Sequence, residues 1–334
     1  MIELNLPHPV CAASALTDQP LAVRLLGQDW VLWRDEAGLP HAAPDQCPHR
    51  GARLSLGRVC SGQLQCPYHG WRFAGSGACT QVPALPGWQP PASHGLATRP
   101  LTAAHGLLWL QPQGDVQALP TADGKAFAAE DDARLRKLLV GPCEVATSAP
   151  RIVENFLDLA HFSTVHAGWL GDADHAEVPA YTVQINLADS AQPGVLATGC
   201  QAWQPQSNRL STEGSWVDYD YRVPAPFCAV LEKAPQAQGG YRESIALFIC
   251  PQDEEHCRVW FRMAVPDFAS TDEELAAFQM TIFLQDQPVL ESQRPRRLPL
   301  TDAAPVQEVH CAADRTAMAY RRYLREQGVS FGVQ

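Results

Sequence analysis

The chain has 334 residues, of which 46% are hydrophobic and 18% charged, proportions that suit one large or two medium globular domains. A formal charge of -11 with no Lys/Arg cluster argues against nucleic acid or an anionic membrane as a partner. No apolar run approaches the roughly 20 residues of a membrane span, and residues 1–14 lack a basic region before an apolar stretch, so neither a membrane protein nor a secretory signal is expected.

In chain order, Leu21–Leu26 and Trp30–Trp33 read as short strands around a turn at Gly27, and Asp35–Gly38 closes a second hairpin. Next come two matched pairs. Cys47-Pro48-His49-Arg50-Gly51 is followed, after sixteen residues between His49 and Cys66, by Cys66-Pro67-Tyr68-His69-Gly70-Trp71. Structural zinc sites usually pair Cys with Cys or His with His. A CxH pair followed by a CxxH pair instead suits a cluster in which one iron takes two thiolates and the other two imidazoles, the Rieske 2Fe–2S arrangement. The chain has 11 cysteines. Their odd, irregular spacing in a long chain reads as reduced thiols in the cytoplasm. Cys11, Cys60, Cys79, Cys143, Cys200, Cys228, Cys250, Cys257 and Cys311 are expected to pack as small apolar residues.

Leu107–Leu110 ends a small antiparallel β domain assigned to residues 1–115, and 116–134 reads as a connector. Residues 135–334 make a second domain. Residues 195–265 are strand-like, with strands at 216–223, 244–249 and 258–265. Helices are expected from Asp272 to Gln293, after Ser270/Thr271 as caps, and from Val306 to Gln327, before Gly328. Both domains together imply an α+β fold.

The segment Pro150–His166 reads as one buried helix. Asn155, Asp158 and His161 stand three apart and share a face, with apolar residues on nearly every other side. Burying such a polar stripe is costly unless its members pair or bind metal. His161 and His166 are five apart, about 140° on an ideal helix. The helix must therefore end or bulge between them, and Ser163-Thr164-Val165 is the weak point expected.

The paired Cys/His loops, with Gly51, Tyr68, Gly70 and Trp71 around them, resemble the Rieske domain of bacterial Rieske non-haem iron oxygenases. Asn155-x-x-Asp158-x-x-His161-(four residues)-His166 resembles their catalytic domain, a helix-grip-like sheet with helices. The resemblance implies Cys47, His49, Cys66 and His69 as cluster ligands, and His161 and His166 as ligands of mononuclear Fe(II). The third ligand is a carboxylate from a later helix: Asp286, with Glu291 as rival and Pro288 loosening the helix beside it. It also implies that Asp158 bridges to His69 of a neighbour in a homotrimer, and Asn155 is an outer-shell group. The implied enzyme is a terminal oxygenase that uses O₂ and electrons from a separate flavin or iron–sulfur reductase, with or without a ferredoxin, drawing ultimately on NAD(P)H. It would hydroxylate or O-/N-demethylate a small aromatic, as dicamba, vanillate and caffeine demethylases do. Ring dihydroxylation and a plain Rieske electron carrier are the alternatives. Pocket walls could come from the strands around Trp216–Phe227 and Phe248 and from Phe278 and Ile282, though any one of these reads more readily as core, and Tyr219, Tyr221 and Arg222 could anchor a carboxylate, though strand polars usually face water.

Overall fold

The computed structural model describes the chain except residues 123, 187–193, 302, 303 and 305. It divides into two compact units, Leu4–Gln117 and Met1–Glu3 with Ala118–Gln334.

The first unit is built from β1 (His8–Ala12), β2 (Leu21–Leu25), β3 (Gln28–Arg34), β4 (Pro40–Pro44), β5 (Arg58–Cys60), β6 (Gln63–Gln65), β7 (Arg72–Phe73), β8 (Cys79–Gln81), β9 (Arg99–Ala104) and β10 (Leu107–Leu110). The strands form two antiparallel sheets, in the orders β1-β10-β9-β4-β3-β2 and β5-β6-β7-β8. The β2–β3 turn is the two-residue type in which both residues need positive φ: Leu26 is at 50° and Gly27 at 78°. Val31, Trp33, Leu54, Leu64 and Phe73 pack with Cys47 and Cys66 in one apolar cluster.

The second unit contains β11 (Arg136–Val145), α1 (Ala149–Phe156), α2 (Phe162–Val165), β12 (Thr182–Asn186), β13 (Gly194–Gln204), β14 (Ser215–Ala225), β15 (Cys228–Pro235), β16 (Glu243–Pro251), β17 (Cys257–Val265), α3 (Asp272–Ser292) and α4 (Arg315–Gln327). Among the described residues the strands form one antiparallel sheet in the order β11-β17-β16-β15-β14-β13-β12. In β14 alternate residues are buried, so Val217, Tyr219, Tyr221 and Val223 face the core while Arg222 faces away. Helix α3 buries Leu275, Ile282, Phe283, Asp286 and Leu290. These follow the i, i+7, i+8, i+11, i+15 spacing of a single face, so a carboxylate shares the side that the apolar residues bury. Thr271 and Glu274 close a reciprocal capping box at its start. The helix runs through Pro288 to Ser292.

Two expected helix boundaries move. The stretch expected to be one helix to His166 stops at Phe156, and 163–165 are helical instead of broken. Asp158 is the cause. Its Oδ1 accepts the amide of Ala160 at 2.9 Å, and its own amide bonds Asn155 O at 3.1 Å. This side-chain turn competes with helix continuation. The last helix starts at Arg315, not Val306. Upstream, Glu308 is drawn to Arg151 and Arg321, which holds that segment out of helical register. Its end is as expected, with Gly328 left-handed at φ 72°. None of the eleven cysteines forms a disulfide. Cys311 is exposed and Cys60 half-buried, so those two do not pack as core residues as expected. No helix of the described residues is long and apolar enough to cross a membrane.

Candidate metal centres

In the first unit, Cys47–Gly51 and Cys66–Gly70 are two copies of one turn. In each, the carbonyl of the Cys accepts the amide of the Gly four residues on, at 2.9 Å for Gly51 and 3.1 Å for Gly70. Both glycines take positive φ, 72° and 70°, which a side chain would strain. The turns present Cys47 and Cys66, each 2% exposed, and bring the rings of His49 and His69 to 4.5 Å between centroids. Burial, with the second thiol close by, pushes the Cys47 thiol up to about 11. Burial and the neighbouring His69 hold the His49 imidazole below its ordinary value, in the neutral form that a metal needs. The His49 ring stacks flat on Trp71 at 4.5 Å and 6°. Its Nδ1 is buried without a hydrogen-bond partner among the described residues. An orphaned ring nitrogen beside buried thiols fits a metal cluster. No three of these four donors converge on one point among the described residues, which suits a two-iron cluster better than a single ion.

In the second unit, His161 caps the start of α2 and His166 its end. His166 has left helical backbone angles (φ -105°, ψ 29°), so helical rotation does not hold the two rings apart and they converge. Asp286 reaches them from the buried face of α3. The three donor atoms form a near-equilateral triangle: His161 Nε2 to His166 Nε2 is 3.1 Å, His161 Nε2 to Asp286 Oδ1 is 3.3 Å, and His166 Nε2 to Asp286 Oδ1 is 3.2 Å. An ion bound at about 2.1–2.3 Å by three mutually adjacent ligands spaces them by about 3.0–3.2 Å. The donor set, two imidazoles and a carboxylate on one face, fits a non-haem ferrous ion.

Each of the three has an outer partner. His161 Nδ1 meets Asp158 Oδ2 at 3.1 Å, His166 Nδ1 meets Gln285 Oε1 at 2.8 Å, and Asn155 Nδ2 reaches Asp286 Oδ1 at 3.4 Å. Such partners fix ring orientation and tautomer. Burial opposes charge on His161, but the two carboxylates outweigh it and raise the imidazole to about 9. Burial likewise pushes Asp286 up, and the two imidazoles overcome it and hold the carboxyl at about 2. Asp158 follows the same pattern and lies below its ordinary value, held there by His161. In this state the carboxylates are paired with a protonated imidazole, and a metal ion entering the site would have to displace that proton.

The structure brings Asn155, Asp158, His161, His166 and Asp286 together, and it leaves Glu291 elsewhere. Glu291 accepts from the amide of Ala146 at 3.1 Å and from Gln287 at 2.8 Å. Gln285 escaped the sequence reading. A polar residue next to Asp286 reads as surface, and only the approach of α2 to α3 reveals its use. A cavity opens beside the triad, with walls that include Phe156, Phe162, Tyr219, Tyr221, Phe278 and Ile282. Trp216, Phe227 and Phe248 do not line it, and the last two are buried core residues, the reading the sequence favoured for any one of them. Lys233 lines it and was missed, although alternation along β15 places Ala229, Leu231 and Lys233 on one side.

A sheet with two imidazoles and a carboxylate at its helix-covered core, joined in sequence to a paired Cys/His loop unit, defines an oxygenase with two iron centres. The Rieske [2Fe-2S] domain family covers residues 7–98, and the vanillate O-demethylase oxygenase C-terminal domain family covers residues 145–328. The chain belongs to the Rieske non-haem iron oxygenases with a catalytic domain of the vanillate O-demethylase type, and is an oxidoreductase with a Rieske cluster and mononuclear iron as cofactors. It is similar to the methylxanthine N1-demethylase NdmA of Pseudomonas putida, 31% identical over 96% of this chain and 87% of that one. It is similar also to the methylxanthine N3-demethylase NdmB of Pseudomonas putida, 30% identical over 97% and 89%. The structure of Pseudomonas putida NdmA with caffeine superposes with a TM-score of 0.79, at 28% identity over 96% of this chain and 90% of that one.

Proposed function

We propose that the chain is the terminal oxygenase of an oxidative demethylase that acts on small N- or O-methylated aromatics in the cytoplasm, with electrons from a separate reductase. The observation that carries this is the His161–His166–Asp286 triangle opening on a largely apolar cavity. The names of the relatives support the reaction. Eleven cysteines without a disulfide support the compartment.

In this reading Cys47, His49, Cys66 and His69 hold the 2Fe–2S cluster, and His161, His166 and Asp286 hold the ferrous ion. When bound, the two groups supply single electrons and a place for O₂ activation. The chain's own residues do the rest. Gln285 and Asp158 hold the two imidazoles in the tautomer that leaves Nε2 free. The apolar walls exclude water and orient the methyl group. In the same reading Asp158, bonded to His161 and partly exposed, meets His69 of a neighbouring copy in a homotrimer and carries the electron across. The balance is a methyl C–H hydroxylated by O₂ with two electrons and two protons, giving water and a hydroxymethyl group. That group then splits into formaldehyde and the free N–H or O–H.

The test is anaerobic iron loading, then turnover with a surrogate reductase, NADH and a panel of methylated aromatics. Formaldehyde formed one-to-one with the demethylated ring is the expected result. A ring diol, or electron transfer without any oxygenated product, would overturn the reading.

A further inference from the structure

The cavity beside the triad carries more information about its guest than its apolar walls alone. Its charged group is already neutralised. Lys233 Nζ lies 2.8 Å from Glu243 Oε1, and the two are 5% and 4% exposed. The ammonium also donates to Ser207 O at 2.6 Å, and Tyr241 donates to the other carboxylate oxygen at 2.5 Å. The pair sits directly across β15 and β16. At the triad itself, Asp286 and Asp158 together balance the charge of a divalent ion. A carboxylate entering the cavity would therefore lose its water and find no spare cation.

Among the buried polar side chains of the wall, the Tyr221 hydroxyl stands without a partner. Tyr221 is 1% exposed and its hydroxyl has no hydrogen-bond partner among the described residues. Its neighbour Tyr219, stacked on it at 5.7 Å and 9°, is paired with Gln204 at 2.6 Å. Burial pushes the Tyr221 phenol well above its ordinary value, so it remains a donor throughout the working pH range. A buried hydroxyl without a partner is a standing cost that a bound acceptor would remove. Phe156 meets the Tyr221 ring edge-on at 6.3 Å, and both rings belong to the cavity wall.

We propose that Tyr221 is the hydrogen-bond donor that anchors the substrate, and that the substrate is an uncharged planar aromatic or heteroaromatic bearing a ring carbonyl, ring nitrogen or similar acceptor. The inference rests on the triad being the metal centre described above. It assigns the closed Lys233–Glu243 pair the role of excluding carboxylate-bearing rings.

Binding to the iron-loaded, reduced enzyme is measured anaerobically by calorimetry, with four probes: caffeine, methyl vanillate, vanillate and N-methylindole. Methyl vanillate should bind at least about tenfold tighter than vanillate, which differs from it by the charge. Tyr221→Phe should weaken caffeine and methyl vanillate by about tenfold and leave N-methylindole, which lacks an acceptor, within about twofold. In turnover the same variant should raise KM with little change in kcat. Glu243→Gln, which unpairs the ammonium, should improve vanillate by about tenfold relative to methyl vanillate. Vanillate binding as tightly as its ester, unchanged caffeine affinity in Tyr221→Phe, or no binding of any neutral probe would overturn the proposal. If the affinities follow the pattern but wild type releases no formaldehyde from any bound probe, demethylation fails while this assignment stands.

Discussion

At the scale of single residues, the metal centre depends on side chains that do not touch the metal. Gln285 is the clearest. Its Oε1 holds His166 Nδ1 at 2.8 Å, and without it the ring can rotate or take the wrong tautomer. Gln285→Leu is expected to lower ferrous affinity by about 10–100-fold, read by competitive chelation, with the visible spectrum of the cluster unchanged. Asp158 is the second case. Asp158→Asn keeps a group of the same size at the turn but loses the charge that His161 senses. Both metals should be retained, and turnover with the reductase should fall by at least about 100-fold. Wild-type turnover in that variant would remove Asp158 from the electron path. The candidate ligands were legible as residue types at a spacing, because metal chemistry constrains spacing tightly. Gln285 and Lys233 were not, because a polar residue in a helix or strand is ordinarily a solvated one, and only tertiary contact distinguishes the two uses.

At the scale of elements, α1 carries Asn155 and is tied to α4 by charge. Arg321, 5% exposed, donates to Glu154 at 2.9 Å and also to Glu308, which bonds Arg151 at 2.6 Å. Arg321→Met would leave two carboxylates facing one arginine in a dry site. Removing one partner of a buried pair costs about 3–5 kcal/mol, so a clear fall in thermal midpoint is expected, with the cluster unit unaffected. The same network predicts acid sensitivity. Burial pushes Glu308 up, but Arg151 and Arg321 outweigh it and hold its carboxyl below the ordinary value. A depressed carboxylate stabilises the fold above the unfolded pKa, about 4.3. That contribution is lost as pH falls through the folded value. Urea midpoints should therefore drop below about pH 4.3, and Glu308→Gln should flatten that drop. Element types were mostly legible, since β10 and the start of α3 fall where apolar pattern and caps put them. The helix break was misplaced because propensity pointed to Ser163–Val165, whereas the Asp158 side chain bonding Ala160 ended the helix earlier. A single side-chain hydrogen bond outweighed three weak helix formers, and no propensity scale contains it.

At the scale of the whole molecule, the chain combines a unit for receiving electrons with a unit for spending them. The strongest sequence signal lies in the first, in the twin Cys/His turns, and it says least about the substrate. In the proposed reading the reaction lies with His161, His166 and Asp286, and substrate choice with Tyr221 and the Lys233–Glu243 pair. Anaerobic reconstitution with ferrous iron, followed by iron and acid-labile sulfide analysis, tests the two-centre account most directly. About three iron atoms and about two sulfides per chain are expected, falling to about two iron atoms with unchanged sulfide in His166→Ala. Two iron atoms per wild-type chain, or the same iron content in His166→Ala, would contradict the account.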